Sequence, residues 1–178
     1  RLGLATIPNQ ILESNQSGSG FGYSLSTAGD VNGDEYSDVV VGAYQYSAGE
    51  SEEGRVFLYH GSTSGIGETA AWTHESNQAD AWMGYSVGTA GDVNGDGLSD
   101  LVLGVYGYDG ALLNYGLAEV FLGNASGLAE TADWSYKTNQ ALACVGAVAG
   151  AGDINGDGYT DVLVGSPLYD VSIVDEGA

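Results

Sequence analysis

Apolar and polar residues alternate in short runs along this chain, and no stretch of ten or more residues spaces its apolar positions as a helix would. "MGYSVGTA" (83–90) alternates and leads into a glycine-rich acidic stretch. "DLVLGVYGY" (100–108) is almost continuously apolar, as a strand buried on both faces should be. "LAEVFLG" (117–123) reads as a third strand, "NASGL" as a turn and "DWSYKTNQ" (133–140) as an alternating fourth strand. Short strands parted by Gly, Asn and Asp predict an all-β protein.

That four-strand unit recurs. Asn15-Gln16, Asn77-Gln78 and Asn139-Gln140 stand 62 residues apart, while Asp30, Asp92 and Asp153 open three acidic stretches at spacings of 62 and 61. "FGYSLSTAGD" (21–30) matches "MGYSVGTAGD" (83–92) and "VGAVAGAGD" (145–153), and Trp72 matches Trp134. "VFLYHGSTSGI" (56–66) aligns with "VFLGNASGL" (120–128). The chain therefore reads as one propeller segment with repeats at approximately 17–78, 79–140 and 141–178, and with 1–16 as a displaced final strand. "RLGLATIPNQ" (1–10) aligns with "TSGIGETAAW" (63–72), the turn before a fourth strand, and "DEGA" (175–178) with "EEGR" (52–55), just ahead of a third. Four-stranded antiparallel repeats rich in glycine predict β-propeller blades. Propellers close with four to eight blades, so three make an incomplete ring on their own. Remaining propeller blades or self-association are the expected structural partners.

Charge narrows the function. The chain has 178 residues, with 24 Asp plus Glu against 3 Lys plus Arg, a net charge of −21. That excess argues against nucleic acid and against an anionic membrane surface, and it suits cation binding. No apolar run reaches transmembrane length, so no membrane insertion is expected. The single cysteine, Cys144, lies among apolar neighbours in "ALACVGAV" and reads as a small buried hydrophobe.

The acidic stretches are "GDVNGDEYSD" (29–38), "GDVNGDGLSD" (91–100) and "GDINGDGYTD" (152–161). Their shared pattern is Asp-x-Asn-x-Asp-Gly-x-x-Asp. Clustered carboxylates repel one another unless a cation compensates, and oxygen-only donors select Ca²⁺ over Zn²⁺. The residue at the seventh position would add its carbonyl. The predicted metal sites are Asp30, Asn32, Asp34, Tyr36 and Asp38; Asp92, Asn94, Asp96, Leu98 and Asp100; and Asp153, Asn155, Asp157, Tyr159 and Asp161. Three Ca²⁺ ions are expected. An EF-hand would need Glu at the twelfth position, which here is Val41, Leu103 and Val164. The competing reading is a plain Asn-Gly or Asp-Gly hairpin turn. Three copies with every liganding position filled favour the metal.

"FGYSLSTAGDVNGDEYSDVVVGA" (21–43) and its two relatives resemble the FG-GAP repeats of integrin α-subunit β-propellers. The FG is Phe21-Gly22, and the GAP counterpart is Gly42-Ala43-Tyr44 or Gly165-Ser166-Pro167. The resemblance implies a propeller, usually of seven blades, with Ca²⁺ on one face. It does not fix a function, since similar repeats occur in adhesion receptors, bacterial surface proteins and accessory modules of enzymes. FG becomes Met83-Gly84 and Val145-Gly146, and Glu35 replaces the glycine of the first loop, where a side chain would strain the turn.

The connections between second and third strands are long and carry tyrosines, of which Tyr46, Tyr108 and Tyr169 are candidate contacts for a protein or glycan ligand. His60 and His74 are the only histidines and stand beside no nucleophile motif, so no enzyme is expected. The sequence thus points to a calcium-binding extracellular or cell-surface module for adhesion or protein/glycan recognition. The alternative is a non-catalytic propeller segment of a secreted hydrolase or lyase. The location follows from affinity, because all-oxygen loops of extracellular modules bind Ca²⁺ at about 10⁻⁴–10⁻³ M.

Overall fold

The computed structural model describes residues 10–170 and 173–178. These form ten strands and no helix: β1 (Phe21–Gly29), β2 (Asp38–Ala43), β3 (Arg55–Tyr59), β4 (Trp72–Glu75), β5 (Met83–Gly91), β6 (Asp100–Val105), β7 (Leu117–Phe121), β8 (Trp134–Tyr136), β9 (Ala147–Gly152) and β10 (Asp161–Gly165). Strands β1 to β4 make one antiparallel sheet in sequence order, β5 to β8 a second, and β9 and β10 a third. The result is all-β, with consecutive sheets of four, four and two strands that correspond to propeller blades. In the displaced strand expected over 1–16, residues 1–9 lie outside the described residues, and residues 10–16 join none of the three sheets.

Blades pack face to face through the side chains that the period-two pattern puts on opposite faces. Val40, Val56 and Leu58 of the first blade meet Met83, Leu101, Leu103, Val105, Leu117 and Phe121 of the second in one core. Val102 and Val120 point the other way, against Val148 and Val162 of the third. Every residue of β6 is buried, as expected of a strand covered on both faces. The outer face of the first blade holds Val41, Phe57 and Tyr59. Backbones approach so closely between blades that a methyl group on Gly42 would overlap the Gly84 carbonyl, and one on Gly104 the Gly146 carbonyl.

The structure corrects one alignment. Gly61 and Gly123 occupy the same place after the third strand, since each donates its N–H to the last aspartate of its own loop. Val41 pairs with Phe57 and Leu103 with Glu119. "VFLYHG" (56–61) therefore superposes on "AEVFLG" (118–123), two residues away from the literal "VFL" match. Hydrogen-bond register decided the pairing. The repeated letters did not, because adjacent apolar residues in a strand are locally interchangeable.

Candidate metal-binding loops

Each acidic stretch connects the first and second strands of its blade, so all three loops stand at the same end of the sheets. Their internal bonding is nearly identical. Asp30 Oδ1 accepts the N–H groups of Gly33 and Asp34 at 2.7 and 3.1 Å, and Oδ2 that of Glu35 at 2.8 Å. Asp92 holds Gly95, Asp96 and Gly97 at 2.6, 3.1 and 2.9 Å. Asp153 holds Gly156, Asp157 and Gly158 at 2.7, 3.1 and 3.0 Å. These amides, that of Gly158 foremost, hold the Asp153 carboxyl below the usual range. At the third and fifth positions Asn32 Nδ2 donates to Asp34 Oδ2, and Asn94 Nδ2 to Asp96 Oδ2. The seventh-position amides of Tyr36, Leu98 and Tyr159 donate to Asp34, Asp96 and Asp157.

The ninth position is the buried one. Asp38 and Asp100 are both 0% exposed. Asp38 accepts Val31 N–H at 3.0 Å and Gly61 N–H at 2.9 Å. Asp100 accepts Val93 N–H at 2.7 Å and Gly123 N–H at 2.8 Å. Asp161 takes Ile154 N–H at 2.9 Å. Burial pushes the Asp100 carboxyl up, the two amides oppose this, and the charges of Asp96 and Asp92 add to the rise. His60 Nδ1 stands 3.3 Å from Asp38 Oδ1 without hydrogen-bonding geometry. Among the described residues no three Asp, Glu, His or Cys side chains gather as a group that could hold a metal. The first and fifth carboxylates are instead turned onto the loops' own amides.

The loops also touch one another across blades. Ser99 N–H donates to the Asp30 carbonyl at 2.8 Å, and Thr160 N–H to the Asp92 carbonyl at 2.9 Å. Glu35 has φ 71°, against 88° at Gly97 and 94° at Gly158, so the glutamate does occupy the left-handed conformation expected to strain it.

The opposite end of the sheets carries the connections between second and third strands. Tyr46, Tyr108 and Tyr169 occupy equivalent places there, each accepting a glycine N–H on its carbonyl, from Gly54, Gly116 and Gly177. They are half-buried. Tyr46 packs on Phe57 at 5.7 Å and receives the Arg55 guanidinium on both its ring and its hydroxyl, and Tyr108 packs on Tyr115 at 5.9 Å. A different set gathers into one aromatic cluster spanning two blades: Tyr23, Tyr44, Tyr85, Tyr106 and Trp82, with neighbouring ring centroids 4.5 to 6.4 Å apart. Its members come from the starts of β1 and β5 and from just beyond β2 and β6. A hydrogen bond to Tyr23, then burial, raises the Tyr85 hydroxyl, and burial pushes Tyr106 up to about 12. The repeated "GYS" of the first strand was the signal for Tyr23 and Tyr85. The paired "NQ" landmarks also acquire a role. Gln78 leaves the first blade and clamps Asp109 of the second, accepting its N–H at 2.6 Å and donating to its carbonyl at 2.8 Å. Gln140 accepts Asp170 N–H in the third blade in the same way.

A family model described as FG-GAP repeat matches residues 21–59, and one described as FG-GAP-like repeat matches residues 92–164. Integrin alpha-7 of Homo sapiens is 32% identical over 182 residues, an alignment that covers 94% of this chain and 14% of that protein. Integrin alpha-6 of Homo sapiens is 28% identical over 172 residues, with 94% and 14% covered. Phosphatidylinositol-glycan-specific phospholipase D of Bos taurus is 32% identical over 157 residues, with 83% and 18% covered. The chain thus spans less than a fifth of the length of each of these relatives.

Proposed function

The chain is built of FG-GAP repeats of the integrin α type, and from that premise we propose a calcium-binding β-propeller module that serves adhesion or recognition of a protein or glycan outside the cell. The observation that carries the reading is the threefold recurrence of one loop scaffold. In each copy an opening aspartate organises the turn, a closing aspartate is fixed from beneath, and an exposed carboxylate stands between them. The donor set fits a hard cation, being oxygen throughout. At Asp100, buried and crowded by the charges of Asp92 and Asp96, a divalent cation would offset the cost of confining three carboxylates. Asp30, Asn32, Asp34, Asp38 and the Tyr36 carbonyl would hold the first ion. Asp92, Asn94, Asp96, Asp100 and the Leu98 carbonyl would hold the second, and Asp153, Asn155, Asp157, Asp161 and the Tyr159 carbonyl the third. Ca²⁺ supplies no reaction in this reading. It fixes three loops at one end of the blades.

Titration calorimetry on chelator-stripped protein tests this. Binding near 10⁻⁴–10⁻³ M supports both the metal and the extracellular setting. At a free concentration one hundred times the dissociation constant, linkage adds about 2.7 kcal/mol of stability per site. No heat and an unchanged melting temperature would refute it. Asp96→Ala should remove one site of the three. The integrin relatives support an adhesive role, with Tyr46, Tyr108 and Tyr169 as candidate ligand contacts. Similarity to a phospholipase D supports the second reading, a non-catalytic segment of a secreted hydrolase or lyase. A catalytic domain in the same open reading frame would decide for it, whereas a protein or glycan retained on an array would decide for recognition.

A further inference from the structure

Each acidic loop carries an Asn-Gly pair at its third and fourth positions: Asn32-Gly33, Asn94-Gly95 and Asn155-Gly156. Such a pair holds its own reagent. The glycine main-chain nitrogen can attack the asparagine Cγ, because no Cβ on the glycine stands in the way. A five-membered succinimide ring forms as the Cγ–Nδ2 bond breaks, and Nδ2 leaves as ammonia while the glycine nitrogen gives up its proton. Water then opens the ring at one of its two carbonyls. One opening gives aspartate, the other an isoaspartyl residue whose main chain runs through the former side chain. The balance is amide plus water to acid plus ammonia, with no oxidant or reductant.

In the closed loop this attack is opposed from within. Gly33 N–H is held by Asp30 Oδ1 at 2.7 Å, and Gly95 N–H by Asp92 Oδ1 at 2.6 Å. Asn32 Oδ1 and Asn94 Oδ1 each accept the N–H of the fifth-position aspartate at 3.0 Å. The two Nδ2 groups donate to the carboxylate of that aspartate at 3.1 and 2.9 Å. The attack is also opposed by the next blade, since it requires the Asn-Gly peptide to rotate and swing the glycine Cα. A methyl group on Gly33 would lie 3.1 Å from Leu98 Cδ2, and one on Gly95 2.7 Å from Tyr159 Cε1. Leu98 and Tyr159 hold the seventh position of the following loop, so each of these loops leans a side chain on the Asn-Gly pair before it. Gly33, Asn94 and Gly95 are exposed, which leaves water at hand for the second step.

We propose that Asn32 and Asn94 are sites of spontaneous conversion to aspartate and isoaspartate, gated by the side chain that the next blade lays against them. The reaction proceeds from the open loop, so its rate follows the population in which neighbouring loops have parted. Isoaspartate adds one atom to the main chain ahead of the glycine, which carries the glycine N–H away from the opening aspartate and keeps the loop from closing in its native register. The mark is a one-way record of loop opening. It depends on hydrogen bonds and packing and not on a cation, so its failure would leave the calcium reading intact.

The test incubates the full chain in excess chelator at mildly alkaline pH. Conversion is read by peptide mass mapping and by enzymatic methylation of isoaspartyl carboxyl groups, with Asn32→Gln and Asn94→Gln variants to assign each signal. Both sites should convert at least about tenfold more slowly than in free peptides of residues 29–38 and 91–100. Leu98→Ala should speed Asn32 about fivefold and leave Asn94 at its native rate, while Tyr159→Ala should speed Asn94 and leave Asn32. The ratio of the two rates within one molecule cancels any general loss of stability. Leu98→Met, which restores the bulk, should return Asn32 to its slow rate. Rates in the folded chain equal to those of the free peptides would overturn the shielding, and a ratio that neither alanine variant moves would overturn the gate. No conversion in either alanine variant while the free peptides react would overturn the proposal as a whole.

Discussion

Replacing Glu35 with glycine should stabilise the protein. Glu35 holds φ 71° in the first acidic loop, at the place where the other two loops have Gly97 at 88° and Gly158 at 94°. A left-handed backbone costs an L-residue about 1–2 kcal/mol. Glycine removes that strain and returns about 0.5–1 kcal/mol through the greater freedom of its unfolded chain. Nothing else is lost, because the Glu35 side chain is exposed and its structural bond, from N–H to Asp30 Oδ2 at 2.8 Å, belongs to the backbone. The net expectation is a gain of about 0.5–1 kcal/mol, or about 1–4 °C in melting temperature for a chain of this size. The converse is Gly97→Ala, where a methyl group meets nothing within 4 Å, so the cost is conformational alone and should be about 1 kcal/mol. Urea unfolding in excess chelator isolates the backbone contribution from any cation. A neutral or destabilising Glu35→Gly, or a neutral Gly97→Ala, would refute the reasoning.

Glu119 buries Oε2 without a hydrogen-bond partner, 3.8 Å from His74 Nε2. Burial raises its carboxyl to about 7 and lowers His74, so the imidazole is neutral at pH 7 and the contact is not a full ion pair. The folded state then keeps a proton that the unfolded chain has released, so this group's stabilising contribution is complete below about pH 4.5 and fades as pH rises through 7. Glu119→Gln should match the native protein at pH 4 and exceed it by about 2–3 kcal/mol at pH 8 in denaturant titrations; a pH-independent difference would count against it. Gly104→Ala drives a methyl group into the Gly146 carbonyl of the next blade and should cost about 1–3 kcal/mol, while Gly88→Ala, whose nearest neighbour would be Val102 Cγ1 at 3.9 Å, should cost much less. Equal melting temperatures for the two variants would show that the blades tolerate separation.

What the sequence revealed was local. Strands β5 to β8 follow from alternation and from the continuous apolar run of β6, because a period of two decides which side chains face which blade. The acidic loops were legible because their spacing is short enough for one turn to impose it. Features that depend on two blades were not legible. The aromatic cluster joins Tyr23 to Tyr85 and Tyr44 to Trp82 across an interface, and no spacing along the chain encodes that meeting. Tyr46, Tyr108 and Tyr169 drew attention as loop aromatics, yet their most regular contact is a backbone carbonyl. The third-strand register was missed within a blade, because it is fixed by Gly61 and Gly123 reaching back to Asp38 and Asp100, 23 residues away in both blades.

Those reaching contacts also explain why the period is so regular. At the loop end, Ser99 N–H ties the second blade to the Asp30 carbonyl of the first, and Thr160 N–H ties the third to Asp92 of the second. At the opposite end, Gln78 and Gln140 each leave one blade and grip the connection of the next. Neighbouring blades are therefore stapled at both ends, with the apolar faces packed between. Such a staple works only if each repeat presents its donor and its acceptor at matching places, so the length from one glutamine to the next is held by the interface. A single four-stranded sheet satisfies its own ladder but leaves one partner of every staple unmet and both faces open to water. Each repeat's contacts are completed by its neighbour, and the sequence repeat is the imprint of that pairing.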